Sequence, residues 1–178
     1  VFSLNIDKET ALELVHPVMA KHLHELVEKN RAYLSEWLPW VNKTKSIEDY
    51  QSFINQALHD YADDKKMVCV IKYQEELVGV CGFNSINPML KKVEIGYWLA
   101  SEYQGRGIIT NVCQKLIEIA FNHYNMDKVQ ISAAEENHKS RAVCERLGMK
   151  LEGIITNAEN VDGKIVNHAI YGLNRKNN

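Results

Sequence analysis

The run Gln104-Gly105-Arg106-Gly107-Ile108-Ile109-Thr110 has the composition of an anion-binding turn. An apolar stretch, Val93–Leu99, precedes it, and apolar residues at helical spacing follow it. The expected order is a strand, a glycine loop and the start of a long helix. The first turn of a helix has free backbone N–H groups and the positive end of a dipole. Glycines let that backbone approach an anion closely, so a pyrophosphate is a natural guest. Thr110 would add a hydroxyl, and Gln104 or Arg106 side-chain donors. A plain tight turn uses the same glycines. A dinucleotide fingerprint would need a third Gly at Thr110 and an acidic residue after the next strand. A Walker loop would need Gly-Lys-Ser/Thr after a longer glycine spacing. Neither pattern is present.

These residues need elements to hold them. Phe2–Ile6 alternates as a short strand does, and His16-Pro17 opens a helix with Val18, Leu23, Leu26 and Val27 on its apolar side. Trp37-Leu38-Pro39-Trp40 is an unusual connecting segment. Ser46 starts a second helix, with Asp49 as a weak capping-box partner. Met67–Lys72 and Leu77–Phe83 read as a hairpin, and Val93–Leu99 as the next strand. A helix is expected from about Ile108 to Tyr124, with Asn125 as a stop. Lys128–Ala134 is a strand, Ser140–Leu147 a short helix, and Met149–Thr156 and Ile165–Leu173 two last strands. Asp162-Gly163 signals a hairpin turn within a loop that looks longer than two residues. The order β-α-α-β-β-β-α-β-α-β-β, in one domain over residues 1–178, points to a mixed α/β sheet flanked by helices.

At this point the chain resembles the GCN5-related N-acetyltransferase superfamily, and within it the ribosomal-protein alanine and serine N-acetyltransferases. That family's pyrophosphate loop has the form Q/R-x-x-G-x-G/A. Gln104 and Gly107 match it, while the last position is Ile109. Asn137-His138-Lys139-Ser140-Arg141-Ala142-Val143-Cys144-Glu145-Arg146-Leu147-Gly148-Met149 looks like the family's N-x-x-S-x-x-V/L-x-E-K/R-L-G-F/M. Trp37-Leu38-Pro39-Trp40 is a third match, and the resemblance covers almost the whole chain in order.

The resemblance implies a mostly antiparallel sheet with one splayed parallel pair, Val93–Leu99 and Lys128–Ala134. It implies acetyl-CoA as cosubstrate and no metal. The pantetheine arm would pair with the backbone of Trp98, Leu99 and Ala100, and the loop Gln104–Thr110 would hold the pyrophosphate. Asn137 would bond the pantetheine near the thioester, and Arg141 the phosphates. A helix cap is the lesser alternative for Asn137, and a solvated helix face suits Arg141 at least as well. Ser140 would protonate the departing thiolate, with a helix cap as its plainer role. Many members carry a Tyr acid where this chain has Cys144, which shifts the acid to Ser140. A buried thiol is the plainer reading of Cys144. Glu94 is the candidate base, directly or through water, with a solvent-facing or structural carboxylate as its alternative. Tyr97 has the opposite parity and faces the other side.

The implied reaction is direct attack of a primary amine on the thioester in a ternary complex. An α-amine of pKa about 7.7–8.0 is roughly a tenth to a sixth neutral at pH 7, a lysine amine only a few parts in about ten thousand. A protein N-terminus, of the ribosomal-protein serine or alanine kind, is the expected acceptor. A small amine such as a polyamine or antibiotic is the alternative, and a non-catalytic acyl-CoA-binding module a third. Trp37 and Trp40 would wall the acceptor slot, or serve as core or a dimer contact. A homodimer is compatible with the family.

Composition narrows the partners. The formal net charge is −2 over 178 residues, with 46% hydrophobic content and no basic block, so no nucleic-acid stripe is expected. No apolar run is long enough to span a membrane. The four cysteines form no C-x-x-C pair and lie in apolar segments, which suits a reducing cytoplasm.

Overall fold

The computed structural model describes residues 3–176. In chain order its elements are β1 (Ser3–Asn5), β2 (Thr10–Leu14), α1 (Ala20–Leu34), α2 (Ile47–Ala62), β3 (Met67–Tyr73), β4 (Glu76–Asn87), β5 (Lys92–Leu99), α3 (Ile108–Asn122), β6 (Lys128–Ala134), α4 (His138–Arg146), β7 (Lys150–Val161) and β8 (Lys164–Asn174). Single 3-10 turns, Pro17–Met19 and Ser101–Tyr103, precede α1 and α3. The eight strands form one sheet in the order β1-β2-β3-β4-β5-β6-β8-β7. β5 and β6 are parallel, and every other neighbouring pair is antiparallel.

Helices cover both faces of the sheet. Leu23, Val27, Tyr50, Ile54 and Ala57 of α1 and α2 pack with Val70 on one face. Val112, Cys113, Leu116 and Ala120 of α3, with Val143 and Cys144 of α4, pack with Phe83, Ile95 and Ile131 on the other. Helices on both faces bury consecutive residues of β3 and of the middle of β4, whereas β5 and β6 alternate, with Val93, Ile95, Val129 and Ile131 buried and Glu94 and Gln130 on the more open face.

Local chemistry sets the element ends. Ser46 and Asp49 form a reciprocal capping box at the start of α2, stronger than the sequence suggested. Backbone N–H groups of Lys45 and Ser46 hold the Asp49 carboxyl below its usual range. Asn125 is left-handed at φ 52°, three residues beyond the end of α3.

The N-terminal segment differs from expectation. It holds two strands where the alternation suggested one, so the order begins β-β-α-α; Phe2 lies outside the described residues. Asp7 turns the chain between them, its Oδ1 accepting the N–H groups of Glu9 and Thr10 at 2.8 Å each. After Thr10 the second strand, Ala-Leu-Glu-Leu, is built from residues with weak β preference, and pairing to β3 overrides that preference. Val18 is also displaced from its expected role: it lies in the 3-10 turn and is 73% exposed. The β7–β8 connection is a two-residue turn, shorter than the sequence suggested. Val161 pairs with Lys164, and both Asp162 (φ 50°) and Gly163 (φ 89°) are left-handed, as a type I′ turn demands.

Candidate active site

β5 and β6 pair only from Lys92↔Lys128 to Ile95↔Ile131. Beyond Ile95, β5 stays with β4, and beyond Ile131, β6 stays with β8. The two strands therefore diverge and leave a gap in the sheet. Ala100 donates its N–H to the Val78 carbonyl at 2.8 Å. By antiparallel alternation, Trp98 and Ala100 turn their backbone toward β4, while Tyr97 and Leu99 present theirs to the gap. Of the three residues expected to pair with pantetheine, Leu99 has the open backbone.

Two cavities meet at this gap. One, of about 830 Å³, runs along Leu99, Gln104, Gly105, Gly107, Ile108, Ile109 and Thr110 to α4. The other, of about 560 Å³, runs between Trp37–Trp40 and Glu94 and reaches Glu159 and His168. Trp37, Leu38, Tyr97, Trp98, Asn137 and Ser140 line both, so they form the junction.

The first cavity ends at an anion cradle. Gly107 is the N-cap of α3 in a left-handed conformation (φ 73°), and no side chain caps the helix. The first-turn N–H groups of Ile108, Ile109 and Thr110 have no helical acceptor. Two cations border them. Lys139 Nζ donates to Gln104 Oε1 at 3.1 Å, and Arg146 Nε donates to Thr110 Oγ1 at 3.3 Å. Gln104 also donates to the Tyr33 hydroxyl. An open helix start, left-handed glycines and two cations fit a pyrophosphate.

Neither arginine chosen from the sequence lines this cavity. Arg106 lies over the rings of Tyr73 and Tyr103, 5.8 and 5.4 Å from their centroids, and donates to the Glu102 carbonyl. Arg141 donates to the Tyr171 hydroxyl and the Glu135 carbonyl, both at 3.0 Å. Helical spacing is the reason: Lys139, Ala142, Val143 and Arg146 line the cavity, while Arg141 sits on another side of α4. That spacing was present in the sequence, but which side of α4 faces the channel was not.

At the junction, Asn137 is the N-cap of α4, its Oδ1 accepting the Ser140 N–H at 3.2 Å. It caps the helix and still lines both cavities. Ser140, in the first turn, is not the cap. Its Oγ lies 2.8 Å from the Tyr97 hydroxyl. Tyr97 does face away from Glu94, as parity indicated, yet the open gap brings it to the junction. Burial pushes its phenol far above the ordinary value. Cys144 is fully buried, and that burial pushes its thiol up to about 12, so it is inert as a nucleophile.

In the second cavity Trp40 packs on Trp98 with ring centroids 6.2 Å apart, and Trp37 stands at the junction. Glu94 Oε2 accepts from Gln130 Nε2 at 3.2 Å. Glu159 and His168, from β7 and β8, face each other at 3.7 Å. The Trp-bearing loop reaches the β7–β8 turn through Asn42 and Asp162, whose side chains hydrogen-bond. Glu159 carried no local signal, because only the hairpin brings it to the cleft. His138, by contrast, is exposed.

A family model described as acetyltransferase (GNAT) domain matches residues 12–150. The ribosomal-protein-serine acetyltransferase of Escherichia coli (strain K12) is 34% identical over 161 residues, 88% of each chain. The structure of RimL, a ribosomal L7/L12 alpha-N-protein acetyltransferase in complex with coenzyme A, superposes with TM-score 0.93 at 27% identity, over 97% of this chain and 98% of that one. MccE, a microcin C7 self-immunity acetyltransferase in complex with acetyl-CoA and AMP, gives TM-score 0.90 at 29% identity, over 96% and 94%. The matched length, the splayed strands and the uncapped helix start agree: this chain belongs to the GNAT acetyltransferase family.

Proposed function

We propose that this enzyme transfers the acetyl group of acetyl-CoA to the α-amine of a protein N-terminus, by direct attack in a ternary complex. The observation that carries the reading is the meeting of two cavities at Tyr97, Trp98, Asn137 and Ser140. One has an anion cradle at its end, and the other has carboxylates along its wall. Acetyl-CoA entering the first would bring its thioester to the junction. An amine entering the second would meet it there.

The chain's residues divide the work. Ile108, Ile109, Thr110, Lys139 and Arg146 hold phosphate charge. The open backbone of Tyr97 and Leu99 aligns the pantetheine and polarises the thioester carbonyl. Glu94, directly or through water, takes the proton of the attacking amine. Glu94 and Glu159 also attract the ammonium form of the acceptor. Positioning supplies much of the rate, since an α-amine is partly neutral near pH 7. The ribosomal-protein relatives support a polypeptide acceptor. A small primary amine is the second reading. The spermidine N(1)-acetyltransferase of Vibrio cholerae, 24% identical over 144 residues, supports it, and the two carboxylates would serve it equally.

Release of free thiol from acetyl-CoA tests both readings. Ser- or Ala-initiated peptides should give turnover, and the same peptides with blocked N-termini should give none. Turnover with a polyamine alone would move the enzyme to the second reading.

A further inference from the structure

The Tyr97 side chain has no assigned task so far, while Ser140 is expected from the resemblance to protonate the departing thiolate. Ser140 Oγ has one partner among the described side chains, the Tyr97 hydroxyl at 2.8 Å. The Ser140 N–H is already committed to Asn137. The one hydrogen of the Tyr97 hydroxyl has two acceptors on the same residue, Ser140 Oγ at 2.8 Å and the Ser140 carbonyl at 3.4 Å. Conjugation with its ring makes a phenol oxygen a poor acceptor and a good donor, and Oγ is the nearer acceptor, so Tyr97 donates and Ser140 accepts. Ser140 then keeps its own hydrogen free. Rotation about Cβ–Oγ can aim it only away from Tyr97, toward the remaining space of the junction.

We propose that Tyr97 is a positioning residue that turns the Ser140 hydroxyl into a fixed hydrogen-bond donor to the thioester sulfur, and that neither residue gives up a proton. This rests on acetyl-CoA lying in the channel, as proposed above, but not on the identity of the acceptor. In the reaction the C–N bond forms, the C–S bond breaks and the electron pair remains on sulfur. The amine proton leaves through Glu94 or water. The thiolate is stabilised by the Ser140 O–H and takes its proton from solvent on release. Full transfer from Ser140 would be uphill, because a thiol of pKa about 8.5 is a far stronger acid than an aliphatic alcohol. A relay from Tyr97 would be uphill too. Burial opposes ionisation of its phenol most, negative charge on Cys113 or Cys144 would oppose it further, and the Ser140 hydrogen bond and Arg146 favour it more weakly. A chain of two donors strengthens the terminal hydrogen bond instead.

The test uses product coenzyme A, so it needs no acceptor. The thiol of bound coenzyme A is titrated by thiolate absorbance in the wild type, Tyr97→Phe, Ser140→Ala and the double variant. A charge-assisted hydrogen bond should hold that thiol about one pH unit below its free value of about 8.5. Ser140→Ala should abolish the depression, and Tyr97→Phe should remove part of it. Tyr97→Phe should change nothing once Ser140 is Ala. In turnover, kcat should fall about 30-fold for Ser140→Ala and about threefold for Tyr97→Phe, with KM for acetyl-CoA unchanged. Equal loss from Tyr97→Phe in both backgrounds would make Tyr97 merely structural and overturn the inference. An unshifted thiol in the wild type would overturn it as well. A shifted thiol with no turnover on free N-termini would instead reject the acceptor proposed above.

Discussion

Residue identity decides the phosphate contact more finely than residue type. Three arginines lie near the glycine loop or on α4, and only Arg146 faces the channel. Replacing it should therefore separate it from the others. Arg146→Ala is expected to raise KM for acetyl-CoA about tenfold, the scale of one charge-assisted contact, and to flatten the dependence of KM on salt. Arg141→Ala and Arg106→Ala should leave KM within about twofold, since their guanidinium groups are held by Tyr171 and Glu135, and by Tyr73 and Tyr103. Initial rates across acetyl-CoA concentrations at two ionic strengths decide this. The sequence pointed to Gln104, Gly107, Asn137 and Ser140, and all four line the channel. It did not separate Arg141 from Arg146, because both are helix arginines within one motif. Only the rotation of α4 against β6, set by burial of Val143 and Cys144, tells them apart.

At the scale of elements, the site depends on how α3 begins. Gly107 adopts φ 73° with no atom within 4 Å of an added Cβ, so backbone conformation alone demands glycine. Gly107→Ala should cost about 1–2 kcal/mol, and the helix start should relax away from the phosphates. Chemical denaturation should show that loss, and KM for acetyl-CoA should rise in parallel. A stability loss with KM unchanged would place the phosphates elsewhere. Element positions were legible wherever periodicity was strong. Lys128–Ala134 has the bounds expected of it, and α3 starts at the expected residue. What escaped was set by partners rather than by pattern. β2 is a strand because β3 pairs with it. β7 runs to Val161, past the expected Thr156, because β8 continues to pair with it up to a two-residue turn. That extension carries Glu159 into the cleft. A site residue was thus hidden behind a strand boundary.

The whole molecule sets the pH range in which this chemistry is available. An α-amine gains its neutral form as pH rises toward about 8, so turnover on a peptide should climb from pH 6 to 8. An opposing effect comes from the core. Cys69, Cys81, Cys113 and Cys144 are all buried and lie in one cluster. Burial pushes Cys69 and Cys144 up to about 12, from an ordinary value near 9.0. In the unfolded chain these thiols ionise first. Their neutral burial is fully compatible with folding below pH 9 and becomes a liability above it. Stability should therefore fall from about pH 9 upward, by about 1.4 kcal/mol per pH unit for each thiol that stays neutral in the fold. Urea unfolding at pH 7, 9 and 10.5 measures the slope. Cys144→Ala should make that slope shallower by about one thiol's share, whatever it costs at pH 7. An unchanged slope would mean that Cys144 ionises freely in the folded protein. The thiol would then be a reachable nucleophile beside Ser140, and direct attack by the amine would need to be reconsidered.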